Sequence, residues 1–217
     1  MKRRVAILIS GRGSNMAALI ETAKAGDFPA EIVVVISNRP AAGGLEKAKA
    51  SGVPTVAIDS KAFGKDRAAF EAVLQTALDQ HQVDLICLGG FMRLFTAEFV
   101  QRWYGRMLNI HPSLLPAFPG LDPHGQALRA GVKISGATVH FVIPETDAGP
   151  ILMQGAVAVA DDDTAETLAA RILAIEHRIY PDALRLVASG RIRLEGDVCR
   201  TEGSGAAGDV LVSPAVS

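Results

Sequence analysis

Val5-Ala6-Ile7-Leu8-Ile9-Ser10-Gly11-Arg12-Gly13-Ser14-Asn15 decides how the rest of the chain is read. Five consecutive apolar residues, with β-branched Val5, Ile7 and Ile9 among them, read as a strand buried on both faces. Ser10 ends the run, and Gly11 and Gly13 let the backbone turn tightly and approach a ligand. Residues 15–25 then place Met16, Leu19, Ile20 and Ala23 at helical spacing. In this arrangement the amides of Gly13, Ser14 and Asn15 point outward at the positive end of a helix, which suits a phosphate. A dinucleotide fingerprint wants a third small residue where Met16 stands and an acid where the second strand ends in Ser37-Asn38. A Walker loop needs Gly-Lys-Ser/Thr, so NAD and ATP both fit poorly. A plain strand-to-helix turn with no ligand uses the same residues.

Working outward, apolar runs at residues 32–36, 55–58 and 83–88 alternate with helical patterns at 43–50 and 65–80. That alternation implies βαβ units and a parallel sheet, with ligands beyond the carboxyl ends of the strands. A short helix over 96–103 precedes a strand at 106–110, which runs into a proline-rich loop at 111–120. Residues 127–130 read as a short helix, and 135–143 and 151–159 as two strands that pair antiparallel. A long helix is expected over 164–189, capped at Asp163-Thr164, with a kink or break near Tyr180 imposed by Pro181. The expected architecture is α/β, a Rossmann-like three-layer sandwich whose mostly parallel central sheet carries a late antiparallel strand pair. One domain is expected over residues 1–195. Residues 196–217, Gly/Ala/Ser-rich from Gly203 onward, are expected to form a disordered tail.

The 217 residues suit one such domain, and 49% hydrophobic with 5% aromatic composition favours helices packed on a sheet. A net charge of −1 argues against nucleic acid held by a broad basic surface, so any anion needs a local site. Cys87 and Cys199 give no disulfide framework, and the apolar surroundings of Cys87 suit a buried thiol. The basic start Met1-Lys2-Arg3-Arg4 precedes an apolar run too short for a secretory signal. No stretch approaches the roughly 20 apolar residues of a membrane span. A cytoplasmic protein with no membrane and no nucleic-acid partner, monomer or homodimer, is the expectation.

In Asn109-Ile110-His111, the two polar residues lie two apart on a strand and project to one side, at its functional carboxyl end. Asp147, between the two late strands, is an acid able to pair with His111 and orient its ring. Asp147 equally suits a turn that bonds its own backbone. His124, His140 and Asp147 lack metal-ligand spacing, and no metal is expected.

Five motifs carry a resemblance. They are Ser10-Gly11-Arg12-Gly13-Ser14-Asn15, Phe91-Met92-Arg93-Leu94, Asn109-Ile110-His111-Pro112-Ser113-Leu114-Leu115-Pro116, Asp147-Ala148-Gly149-Pro150 and Glu176-His177-Arg178-Ile179-Tyr180-Pro181. Together, in order and over roughly residues 4–195, they resemble the folate-dependent formyltransferase family, in its phosphoribosylglycinamide branch. The resemblance implies transfer of a formyl group from the co-substrate 10-formyltetrahydrofolate to the amine of 5′-phosphoribosylglycinamide. It implies catalytic roles for Asn109, His111 and Asp147, and ribonucleotide contacts at Gly13, Ser14, Asn15, Pro112, Gly120 and Glu176. Folate contacts are implied at Arg67, Met92, Arg93, Leu94, Phe95 and Asn109, with the turn around Asp147 lining the pterin pocket. Asp122-Pro123 departs from a histidine or threonine frequent in the family, and Ala117 from a frequent basic residue. Two rivals share the features. Formyl-folate hydrolases carry the same trio behind an N-terminal regulatory domain, for which no room is expected ahead of Val5. A phosphate- or nucleotide-binding module would use the trio structurally.

Overall fold

A computed structural model describes residues 1–203. Seven strands form one sheet in the order β3-β2-β1-β4-β5-β6-β7. These are β1 (Arg3–Ile9), β2 (Ala30–Ser37), β3 (Thr55–Ala57), β4 (Leu85–Leu88), β5 (Met107–His111), β6 (Ile134–Phe141) and β7 (Ile151–Ala158). β1 to β5 pair in parallel, whereas β5–β6 and β6–β7 are antiparallel, matching the expected late pair. The chain order reverses between β1 and β4, the switch point where such sheets bind ligands.

Helices cover both faces: α1 (Ser14–Ala23), α2 (Gly43–Ala50), α3 (Arg67–Gln80), α4 (Ala97–Arg102), α5 (Pro123–Arg129) and α6 (Ala165–Ala188). The unbroken apolar run of β1 follows from this. Val5, Ile7 and Ile9 enter a core built with α1, α2, α5 and α6, and Ala6 and Leu8 enter a second core with α3 and α4. The second core is anchored by buried Phe70 and Leu74, and truncating either to Ala costs about 2–5 kcal/mol.

Three expectations change. Residues 196–201 do not continue as a tail, because β8 (Ile192–Glu195) and β9 (Val198–Thr201) form an antiparallel hairpin. Its Ile192, Leu194 and Cys199 pack on the first core, which stabilises the turn that composition had marked as an end. The expected disorder of 204–217 lies outside the described residues. α5 begins at Pro123 instead of 127, because Asp122 caps it and Pro123 occupies its first turn. α6 continues through Pro181 without a break, and its buried face from Leu168 to Leu184 holds both halves on the core.

Candidate active site

At the end of β1, buried Ser10 fixes the loop: its Oγ donates to Asn38 Oδ1 (2.6 Å) and accepts from the Met92 amide (2.7 Å). Gly13 caps α1 at φ +67°, and no side chain caps the helix. The first-turn amides of α1 are therefore offered outward, with the helix dipole behind them. α2 closes against the same loop, where the Gly44 amide donates to the Gly11 carbonyl (3.0 Å). A Cβ at Gly44 would lie 3.0 Å from the Gly11 carbonyl oxygen and 3.3 Å from Gly13 Cα, so glycine suits this close backbone approach. Asn15 Nδ2 donates to Glu176 Oε2 (2.8 Å), while its buried Oδ1 has no partner among the described residues. Burial raises the Glu176 pKa, and the Asn15 hydrogen bond opposes that rise.

Two strands along, Asn109 lies level with Leu88 of β4 and, through it, with Leu8 of β1. The carboxamide is thus about 10 Å across the sheet from the end of β1. Asp147, in the turn between β6 and β7 at φ +54°, brings Oδ2 to 3.4 Å from His111 Nδ1. The same oxygen accepts from the Gly120 amide (2.9 Å), so the carboxylate ties the proline-rich loop to the imidazole. On the other side of the ring, His111 Nε2 lies 3.0 Å from the Phe118 carbonyl. A carbonyl only accepts, and a carboxylate faces Nδ1, so both contacts are satisfied when both nitrogens carry hydrogen. Phe118 holds that carbonyl in place at φ +56°, a left-handed conformation uncommon for a phenylalanine.

The loop is pinned from beneath by Thr138 on β6, whose Oγ1 donates to the Ser113 carbonyl (2.7 Å) and accepts from the Leu115 amide (3.0 Å). Gln154 of β7 donates to the Leu115 carbonyl (2.8 Å). The departures noted in the sequence have local roles here. Asp122 caps α5 through the Gly125 amide (3.2 Å) and pairs with Arg129 (3.1 Å), and the Ala117 carbonyl accepts from Ser113 Oγ (2.6 Å).

A cleft of about 200 Å³ opens beside the trio. Asn109, Asp147, Arg67, Arg93, Leu94 and Phe95 line it together with the segment 142–147. Behind Phe95 stand stacked Phe91 (5.3 Å) and Phe99 (4.9 Å), a flat apolar backing suited to a planar ring. Met92 falls outside this cleft: its side chain lines a neighbouring groove with Asn38, Arg39 and Lys61.

Sequence reading missed His140, which lies opposite Asn109 on β6 and also lines the cleft. Its Nε2 is 3.2 Å from Asn109 Nδ2 and 3.9 Å from Asp147 Oδ1. Burial lowers the His140 pKa, against the raising effects of the Phe141 carbonyl and Asp147. The available signal was a histidine two residues from Thr138, on the same side of a strand whose neighbouring residues Val139 and Phe141 are apolar. Among the described residues, no cluster of three or more His, Cys, Asp or Glu is arranged to hold a metal, and no helix is long and apolar enough to cross a membrane.

An imidazole paired with a carboxylate, and a carboxamide lining the same cleft as that carboxylate, two strands from a glycine-rich loop that opens a helix, suit acyl transfer to an anionic acceptor. Comparison with known proteins agrees with this chemistry. The formyl transferase family model matches residues 3–184. The trifunctional purine biosynthetic protein adenosine-3 of Bos taurus is 50% identical over 91% of the chain, and the chain spans only 20% of that protein's length. The phosphoribosylglycinamide formyltransferase of Bacillus subtilis is 41% identical over 84% of the chain and 93% of its own length. The crystal structure of glycinamide ribonucleotide transformylase 1 from Symbiobacterium toebii superposes with a TM-score of 0.89 at 48% identity, covering 93% of this chain and 94% of that one. The chain belongs to the formyl transferase family.

Proposed function

We propose that the chain transfers the formyl group of 10-formyltetrahydrofolate to the amine of 5′-phosphoribosylglycinamide, as a cytoplasmic enzyme of purine biosynthesis acting on small molecules. The observation that carries this reading is the pairing of His111 with Asp147 (3.4 Å), where Asp147 and Asn109 line one cleft. All residues in the scheme lie within residues 1–195, the proposed catalytic unit.

The amides of Gly13, Ser14 and Asn15 hold the ribonucleotide phosphate and supply binding energy remote from the reacting centre. Glu176, linked to this loop through Asn15, meets the amine end. Leu94, Phe95 and the 142–147 wall sandwich the pterin, and Arg67 and Arg93 stand where the folate carboxylates emerge. The amine attacks while neutral, since an ammonium has no lone pair. A C–N bond forms, the formyl π pair moves onto oxygen, and a tetrahedral oxyanion results. His111 Nε2–H and the Asn109 amide donate to that oxygen. His111 Nε2, 3.0 Å from the Phe118 carbonyl, exchanges that acceptor for the formyl oxygen as charge develops on it. Asp147, 3.4 Å from Nδ1, orients the His111 ring and positions a water that carries a proton from the attacking nitrogen to folate N10. The C–N10 bond then breaks, giving formylated product and tetrahydrofolate.

Mixing the protein with formyl-folate, with and without the ribonucleotide, tests this directly. Tetrahydrofolate release that depends on the ribonucleotide is expected. Release without it would assign hydrolysis, and no release would leave a binding module.

A further inference from the structure

We infer that His140 is a positioning residue that locks the Asn109 carboxamide with its amino group turned to the formyl oxygen. This rests on the proposed transfer reaction.

The argument is one of donors and acceptors. His140 is buried, at 2% exposure, and sits directly across the β5–β6 ladder from Asn109. Its Nδ1 lies 2.9 Å from the Phe141 carbonyl, which only accepts, so Nδ1 carries the hydrogen. Burial favours the neutral ring, and Nε2 is then a lone-pair acceptor. Asn109 offers either an oxygen or an NH₂ group at 3.2 Å from that nitrogen. The oxygen would require a second proton on a buried imidazole. The NH₂ group requires nothing, so the amide is oriented by the ring. One N–H is held by His140, and the second N–H of the same nitrogen remains as a donor in the cleft that both residues line. Without the lock, a rotated Asn109 would present its oxygen to a developing oxyanion and repel it.

Protonating His140 would undo the lock. An Nε2–H facing the Asn109 amino group is two donors in contact, and Asp147 Oδ1 at 3.9 Å would draw toward the new cation and away from His111. The groups that face His140 are Asp147 and His111, with Arg67, Arg93 and Glu145 around the same cleft. The three residues are thus coupled through one imidazole that takes no part in bond making.

A double-mutant cycle on transfer turnover tests the role. His140→Phe keeps the ring volume and removes the acceptor. We expect kcat to fall roughly 10- to 100-fold with little change in the folate KM. His140→Gln, which accepts from the amino group, recovers part of that loss and lacks the acid-side decline due to ring protonation. In an Asn109→Ala background, His140→Phe costs little more. Full additivity of the two losses overturns the proposal, as does unchanged turnover in His140→Phe. Nitrogen-15 NMR of the wild-type ring gives a readout independent of turnover: the Nδ1–H tautomer is expected, and an Nε2–H tautomer overturns the lock. Absence of ribonucleotide-dependent transfer in the wild type would remove the reaction itself, while the tautomer still reports on the ring.

Discussion

The loops that end β1 and β5 stand two strands apart and work by opposite means. The β1 loop presents backbone: Gly13 caps α1 with no side chain, and Gly44 packs against the carbonyl of Gly11. The β5 loop presents side chains: Asn109 and His111 are each engaged by a partner from another element. An anion with charge spread over several oxygens is held well by amides whose identity is conformational. A charge that appears only in a transition state needs donors of defined chemistry at defined atoms. Substitutions should therefore divide, with shape mattering at one loop and functional group at the other.

The largest effect is expected at the β5 end. His111→Ala should lower kcat on the order of 10²–10³-fold while ribonucleotide affinity, measured by calorimetry, changes little. Retention of near-wild-type turnover would end the role assignment. At the β1 end, Gly13→Ala places a Cβ at φ +67°, 3.2 Å from Gly44 Cα and 3.1 Å from the Met16 side chain. The strain is about 1–2 kcal/mol, and we expect about a tenfold rise in the ribonucleotide KM with kcat nearly preserved. A fall in kcat alone would contradict the division between the loops.

The smallest effect concerns Glu176, which is bonded to the β1 loop through Asn15. Glu176 has a raised pKa in the fold, so the native state binds more protons than the unfolded chain as pH rises above the ordinary carboxylate range. Its contribution is favourable at low pH and is lost as pH rises through the folded value. Glu176→Gln should accordingly raise Tm by a few degrees near neutral pH, with the gain vanishing in acid, while weakening the amine end of ribonucleotide binding. A Tm gain that grows on acidification would reverse this sign.

The two loops were also unequally legible in sequence. Backbone chemistry leaves a composition trace, and Ser10-Gly11-Arg12-Gly13 after an apolar run was enough to place the tight turn between β1 and α1. Side-chain chemistry depends on which elements meet. Asn109 and His111 were visible as polar residues breaking an apolar strand, but their partners came from the β6–β7 side. Asp147 equally suited a plain turn until the resemblance favoured it, and His140, weighed only as a metal ligand, was not placed beside Asn109, because a strand residue's cross-ladder neighbour is fixed by register, which periodicity does not specify. The hairpin of β8 and β9 was readable in principle. Ile192-Arg193-Leu194-Glu195 alternates and Gly196-Asp197 turns, yet four-residue strands give a weak signal beside a Gly-rich end. Pro181 shows the converse, a strong local rule outweighed by the buried face of α6.

Four residues along α6 separate Glu176 from Tyr180, about 6 Å of helical rise. The buried Tyr180 hydroxyl sits 3.0 Å from the Leu88 carbonyl and 3.1 Å from that of Leu108, the residue just before Asn109. The helix therefore works as a gauge resting on two strand ends. It ties the position of the Glu176 carboxylate on the helix to that of the Asn109 carboxamide at the end of β5.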